Sequence, residues 1–199
     1  TEDKRQNPAI TRPTQHGGAG FDSQWDDQFH HRIRDVLVTP DDQDRDMDAV
    51  RGAIERSYNG DAFQRIIYTE SHDEVGISTG GRRLPEEIQP GRADSWYAKK
   101  RSTLGAAIVM TSPGIPMIFK GGIFHLYRDL IRLRRNWHNN TRGLRGHQVN
   151  VFHVNHHDKV LAFHRWQDGG PGDDVVVVLN FANRGYMNYN TGFPRPGTW

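Results

Sequence analysis

The chain has 199 residues, of which 35% are hydrophobic, 25% charged and 10% aromatic, with a formal net charge of +2 and 0 cysteines. This composition excludes a disulfide scaffold and any thiolate metal site. It carries too many aromatic residues for a disordered chain, and no stretch approaches the roughly 20 apolar residues of a membrane span. A charge so near balance gives no general reason to expect nucleic acid or an anionic membrane as partner. The length suits one domain, or one and a part, with a lean apolar core. No charged-then-apolar leader opens the chain. It begins at Thr1 rather than Met, so a removed start or a piece of something longer is expected.

Residues 1–26 are polar and turn-rich, with a short candidate strand from Gly20 to Trp25. Phe29, Ile33, Val36 and Leu37 are spaced for one face of a helix over 27–38, which Pro40 stops. After the acidic run Asp41, Asp42, Asp44, Asp46 and Asp48, a second helical face of Val50, Ala53, Ile54 and Ser57 runs to Asn59-Gly60. Residues 63–68 are a β-rich run that ends abruptly in Thr69-Glu70-Ser71-His72-Asp73-Glu74. Residues 78–94 read as loop. Asp94 or Ser95 caps a helix to about Thr111, which Pro113-Gly114 closes. Ile115 to Phe119 is a short apolar strand. Ile123, Leu126, Tyr127, Leu130, Ile131 and Trp137 then recur at helical spacing over 123–137.

The pattern changes after about Gly146. Val149 to Val154, Val160 to Trp166 and Val175 to Phe181 read as strands, joined by a tight turn at Asn155-His156-His157-Asp158 and a glycine loop over 168–174. Alternating strands and helices to about residue 140 predict parallel βα units, and the remainder predicts an antiparallel domain. The expected division is 1–145 and 146–199.

The strongest local signal is the end of the 63–68 strand. A buried parallel strand delivering Glu70, His72, Asp73 and Glu74 at its C-terminal end matches where barrel enzymes hold catalytic groups. Two carboxylates and an imidazole there suit acid–base work or sugar hydroxyls, although a solvated loop is also polar by default. Glu2-Asp3 says nothing alone. Asp44, Asp46, Asp48 and Glu55 have calcium-loop spacing, but Ala49 stands where the sharp turn needs glycine, so the run reads as a helix N-terminus. His153, His156, His157 and His164, like His30-His31, read as exposed histidines rather than a converging ligand set. Arg128, Arg132, Arg134, Arg135, Arg142 and Arg145 read as the solvated face of the 123–137 helix rather than a phosphate site. Gly17-Gly18-Ala19-Gly20 lacks the strand–turn–helix context of a dinucleotide fingerprint. Trp25, Trp96 and Trp166 suit either sugar stacking or core.

Taken in order, several segments resemble glycoside hydrolase family 13, the α-amylase family. They are Thr-Glu-Asp (1–3), Asn-Pro-Ala-Ile-Thr-Arg-Pro (7–13), Gly-Gly-Ala-Gly-Phe-Asp-Ser-Gln-Trp-Asp (17–26), Tyr-Thr-Glu-Ser-His-Asp-Glu (68–74) and Ser-Pro-Gly-Ile-Pro-Met-Ile-Phe (112–119). Within the family the pattern is most similar to 1,4-α-glucan branching enzymes. The maltooligosyltrehalose trehalohydrolases share the style of segment 24–31. The resemblance implies an α/β fold: part of a (β/α)8 TIM barrel, strands six to eight with their helices, followed by the start of an antiparallel β-sandwich. It implies a retaining cleavage of α-1,4 links with transfer to form α-1,6 branches. An α-amylase or trehalohydrolase type of hydrolysis is the alternative, and a non-catalytic glucan-binding remnant is the alternative of another class.

By motif match, Glu2 is the expected general acid/base and Asp73 the third carboxylate. His72, Trp25 and Asp22 are expected to bind substrate. No cofactor and no metal are expected. The implied partner is an α-glucan (starch, glycogen or maltooligosaccharide), with no nucleic acid and no membrane, in the cytoplasm. The family's nucleophilic Asp belongs to a segment before Thr1, so Glu2 is expected on an unanchored end and the chain alone is expected to be inactive. The Phe119-Lys120-Gly121-Gly122-Ile123 stretch is shorter than the family's substrate-facing loop, and the sandwich stops early, at Trp199. Three strands leave open sheet edges, so self-association or pairing with a missing N-terminal half is expected.

Overall fold

The computed structural model describes residues 1–76, 81–119 and 124–197. Three strands, β1 (Gln24–Trp25), β2 (Arg65–Ile67) and β3 (Ile115–Pro116), form a parallel sheet in the order β1-β2-β3. Gln24 pairs with Arg65, Trp25 with Ile66, Ile66 with Ile115 and Ile67 with Pro116. Parallel neighbours need crossover connections, and helices supply them. Between β1 and β2 lie α1 (Asp27–Val38) and α2 (Met47–Glu55). Between β2 and β3 lie α3 (His72–Val75), α4 (Leu84–Ile88) and α5 (Trp96–Thr111), and α6 (Phe124–Arg134) follows β3.

The helices start where short polar side chains satisfy their free N–H groups. Asp26 accepts from Phe29 N at 3.1 Å, Asp46 from Ala49 N at 3.0 Å and Ser95 from Ala98 N at 3.2 Å. Of the acidic run, Asp46 and Asp48 start α2, whereas Asp42–Asp44 form a separate 3₁₀ turn; Glu55 pairs with Arg51 at 3.1 Å. Ser95, not Asp94, caps α5.

The strands are shorter than their sequence runs, for local reasons. Residues 20–23 do not extend β1, because Gly20 N and Phe21 N bond instead to Arg12 O (3.0 Å) and Ile10 O (3.1 Å) of the preceding turns. Asp61 accepts from Phe63 N at 2.8 Å and turns residues 62–64 into a 3₁₀ segment, so β2 begins at Arg65. Pro116 has no N–H to carry the β3 ladder onward, although Met117 N still reaches Ile67 O at 2.9 Å. Two further expectations need correction. The loop over 78–94 contains α4, which starts on Leu84-Pro85 with Glu86 and Glu87 in its first turn and buries Leu84; residues 77–80 lie outside the described residues. The last helix ends at Arg134, because Asn136 adopts a left-handed φ of 57°, and Ile123 lies outside the described residues.

The second sheet is antiparallel: β4 (Gln148–Asn155), β5 (Val160–Trp166) and β6 (Val175–Asn180). Asn155 Oδ1 accepts from His157 N (3.0 Å) and Asp158 N (2.8 Å) and closes the first turn. Buried Asp173 organises the glycine loop, accepting from Gln167 N (3.1 Å) and Asp168 N (2.7 Å). One apolar cluster joins the two halves: Phe29, Ile33 and Leu37 of α1 and Val50 and Ile54 of α2 pack with Val151, Leu161, Phe163 and Leu179.

The lean apolar core is supplemented by buried guanidinium groups. Arg165 donates to Gln148 O at 3.0 Å and to the carbonyls of Thr111 and Gly146, tying the antiparallel sheet to the end of α5. Arg134 donates to Ser112 O (2.6 Å) and Gly114 O (2.5 Å). It therefore does not belong to a solvated arginine face. The apolar stripe of α6 is correspondingly incomplete: Leu130 is buried, whereas Ile131 is partly exposed and Trp137, past the helix end, is 62% exposed.

Histidine placement also differs from the sequence reading. His30 is buried. His164 is half-buried, paired with Asp174 at 3.0 Å and stacked on Trp166 at 4.6 Å, and His153 contacts Tyr189 Oη at 2.7 Å. His31, His156 and His157 are exposed. Among the described residues, no helix is long and apolar enough to cross a membrane.

Candidate active site

The C-terminal ends of β1 and β2 lie side by side and deliver their side chains to one surface. Ser71 accepts from Asp73 N at 3.3 Å and caps the single turn of α3, which presents His72, Asp73 and Glu74. The first residues run beside β1: the Thr1 amine donates to Ser23 O at 2.6 Å, and Trp25 N donates to Thr1 O at 3.1 Å. Glu2 is therefore anchored through its neighbour, contrary to the expectation of a loose end.

Glu2, His72 and Asp73 converge. His72 Nε2 lies 3.5 Å from Glu2 Oε1 and 3.2 Å from Asp73 Oδ1. Trp25 meets the His72 ring edge-on, with centroids 5.8 Å apart. The site is open, with the Glu2 and His72 side chains 50% and 65% exposed. Asp22 is exposed in the bend before β1 and takes no part in these contacts. Glu70 also turns away: Arg83 donates to both its oxygens at 2.9 Å, and Leu84 N reaches it at 2.6 Å.

Glu74, one of the residues expected at this strand end, is joined by Lys4, for which the sequence carries no signal. Lys4 Nζ lies 3.0 Å from Asp73 Oδ2 and 2.9 Å from Glu74 Oε1, and 5.7 Å from the Trp25 ring centroid. Burial pushes the Glu74 carboxyl up, but hydrogen bonds from Ser71 and Lys4 outweigh it and hold the group down at about 2. Burial likewise lowers the Lys4 ammonium, and Glu74 and Asp73 more than offset that, leaving it raised. Lys4 thus fixes the Oδ2 side of Asp73 while Oδ1 faces His72. Local sequence carries no signal for a contact between residues 70 positions apart.

Beneath the surface the aromatic rings form a column. Trp25 meets Tyr68 edge-on at 5.3 Å, and Tyr68 stacks on buried His30 at 5.0 Å. Burial lowers the His30 pKa from 6.5 to about 4, and its Nδ1 has no hydrogen-bond partner. An unfolded chain takes up this proton near 6.5, whereas the folded one resists it down to about 4. The stabilising contribution is therefore fully present above about 6.5 and is lost as the pH falls towards 4. Melting temperature followed between pH 7 and pH 4 should fall, and His30→Phe, which keeps the stack on Tyr68, should flatten that slope.

Of the other tryptophans, Trp166 packs on His164, and Trp96 is 65% exposed beside a cavity of about 470 Å³ between α5 and the residues after β6. Neither contributes to the Glu2–His72–Asp73 cluster.

Residues 152–199 match the family described as the alpha amylase C-terminal all-beta domain, which covers most of the antiparallel sheet. The chain is 28% identical over 140 residues to the malto-oligosyltrehalose trehalohydrolase of Saccharolobus solfataricus, an overlap of 58% of this chain and 23% of that protein. It is 26% identical over 222 residues to the 1,4-alpha-glucan branching enzyme of Geobacillus stearothermophilus, covering 97% of this chain and 33% of the relative. It is 25% identical over 236 residues to the branching enzyme of Frankia casuarinae, covering 96% and 26%. The chain thus spans a third or less of the length of these curated relatives.

Proposed function

We propose that this chain, similar over nearly its whole length to the branching enzymes of glycoside hydrolase family 13, supplies the acid/base side of an α-glucan-active site. The reaction is retaining cleavage of α-1,4 links with transfer of the glucan. The observation that carries this reading is the convergence of Glu2, His72 and Asp73 at the ends of adjacent parallel strands. In this reading residues 1–145 belong to a (β/α)8 barrel, with β1, β2 and β3 as its strands six, seven and eight. Residues 146–199 open the all-β domain, and the protein works in the cytoplasm.

The roles are those that the family resemblance implies, and the convergence of the three side chains supports them. Glu2 donates a proton to the leaving glycosidic oxygen and then takes one from the acceptor, a glucan 6-hydroxyl or water. Retaining enzymes hold nucleophile and acid about 5–5.5 Å apart, flanking the scissile bond. Glu2 and Asp73 are bridged by one imidazole, with ligand atoms within 4.8 Å. The resemblance gives Asp73 the binding of sugar hydroxyls beside His72 and places the nucleophilic Asp outside these 199 residues. Trp25 offers an apolar edge to a sugar ring, and Asp22 is the further substrate-binding residue that the resemblance implies.

Without that nucleophile, covalent double displacement is not available. The 199-residue chain incubated with amylose should therefore yield neither branch points nor reducing ends above a Glu2→Gln control. Turnover above that control contradicts the assignment. The openness of the site favours one second reading, a glucan-binding surface without catalysis. Saturable binding of maltooligosaccharides to the chain alone, lost in Trp25→Ala, would favour it.

The outer edge of β3 carries partly exposed Ile115, with Ile118 just beyond the strand, and open edges pair with other chains. Sedimentation should therefore report self-association. A sharp monomeric boundary with a single cooperative melt would contradict it.

A further inference from the structure

The same three side chains that suit glycosyl transfer also form a set of metal donors. The ligand atoms of Glu2, His72 and Asp73 all lie within 4.8 Å of one another. A tetrahedral zinc ion, with Zn–N and Zn–O bonds of about 2.0–2.2 Å, holds its donors roughly 3.3 Å apart. His72 Nε2 already stands 3.5 Å from Glu2 Oε1 and 3.2 Å from Asp73 Oδ1. Only the gap between the two carboxylates has to close, and the Glu2 side chain is half-exposed.

We infer that Glu2, His72 and Asp73 bind a zinc ion that blocks this site. Imidazole nitrogen and carboxylate oxygen are both donors that zinc accepts, and three protein ligands leave a fourth position to water. Calcium and magnesium, which take six or more oxygens, are poorly served by an imidazole donor and only two carboxylates. Two outer contacts orient the donors, as outer partners do in metal sites generally. Lys4 holds Asp73 through Oδ2, leaving Oδ1 towards His72, and Trp25 braces the imidazole edge-on at 5.8 Å. The openness of the site gives the ion access. Lys4 also places a positive charge nearby, which keeps the affinity below that of a structural zinc site and makes the ion a reversible inhibitor. Binding rests on this geometry alone, whereas inhibition rests on the glycosidase reading.

The test titrates zinc chloride into the 199-residue chain by calorimetry and cobalt chloride by visible absorption. The expected result is saturable zinc binding at one site, with intense cobalt bands of tetrahedral type. His72→Ala and Glu2→Gln should each weaken zinc binding by at least about tenfold, with unchanged melting curves. His156→Ala, which removes an exposed histidine elsewhere, should leave it unchanged. Absence of saturable binding overturns the inference, as does binding that survives His72→Ala or is lost in His156→Ala. Because these readouts need no turnover, zinc binding by a chain that also shows turnover above its Glu2→Gln control would overturn only the functional reading.

Discussion

Glu2→Gln is expected to lower turnover of amylose by about 10²–10⁴-fold, the usual contribution of a positioned acid/base. The protein to measure is a chimera of the Geobacillus stearothermophilus branching enzyme in which this chain replaces the segment it matches, so that the relative provides the remainder of the site. The amide retains the shape of the carboxyl group and its contact distance to His72, but it can neither donate the proton to the leaving oxygen nor accept one from the incoming hydroxyl. The loss should appear in kcat, with KM changed much less, because the role is exercised in the transition state. His72→Ala should instead act mainly on KM if His72 has the proposed role of binding sugar hydroxyls beside the carboxylates it contacts. A chimera that is active with Glu2 and equally active with Gln would remove Glu2 from the chemistry.

The second large effect concerns stability and lies under the site. Arg65 is fully buried at the start of β2. It donates to Asp26 Oδ2 at 3.1 Å, to Ala53 O at 2.7 Å, to Ile54 O at 3.0 Å and to Pro113 O at 2.7 Å. One side chain therefore caps the C-terminal carbonyls of α2, neutralises the buried N-cap of α1, and holds the turn from α5 into β3. Arg65→Met keeps the volume but leaves Asp26 buried, with Arg56 at 3.7 Å as its remaining cation, and orphans three carbonyls. Breaking a buried pair in this way costs about 3–5 kcal/mol. Urea unfolding should read that loss as a lower midpoint. Arg65→Lys should recover only part of it, because a single ammonium with three donors cannot serve the four acceptors that the guanidinium reaches. A loss below about 1 kcal/mol would mean that water replaces the guanidinium, contrary to its burial.

Helices α1 and α2 were legible because their apolar faces repeat at helical spacing, and α5 because a capping residue precedes it and Pro113-Gly114 closes it. The antiparallel strands were legible from β-branched, apolar runs bounded by turn chemistry. The parallel strands were legible in position but not in length, since β1 and β3 end where turns and a proline take over the backbone hydrogen bonds. Of the site, Trp25, His72 and Asp73 stand in a recognisable order at strand ends, and Glu2 joins them only through that order. Asp22 shares the motif but not the contacts.

What local sequence does not encode is which charges pair across the fold. Glu70 and Glu74 look equivalent in sequence. Only the approach of Arg83 to one and of Lys4 to the other separates a structural carboxylate from one beside the site. Arg65, Arg134 and Arg165 look like surface charges until the carbonyls they satisfy are brought to them.

The role of Glu2 is tested most directly by chemical rescue. The Glu2→Ala chimera is given α-maltosyl fluoride, whose leaving group needs little protonation, with sodium azide as a nucleophile that needs no base. The account predicts that azide accelerates turnover and that the product is the α-maltosyl azide, formed with retention by attack on the covalent intermediate. No rescue, or a β-maltosyl azide formed by direct inversion, would contradict Glu2 as the acid/base.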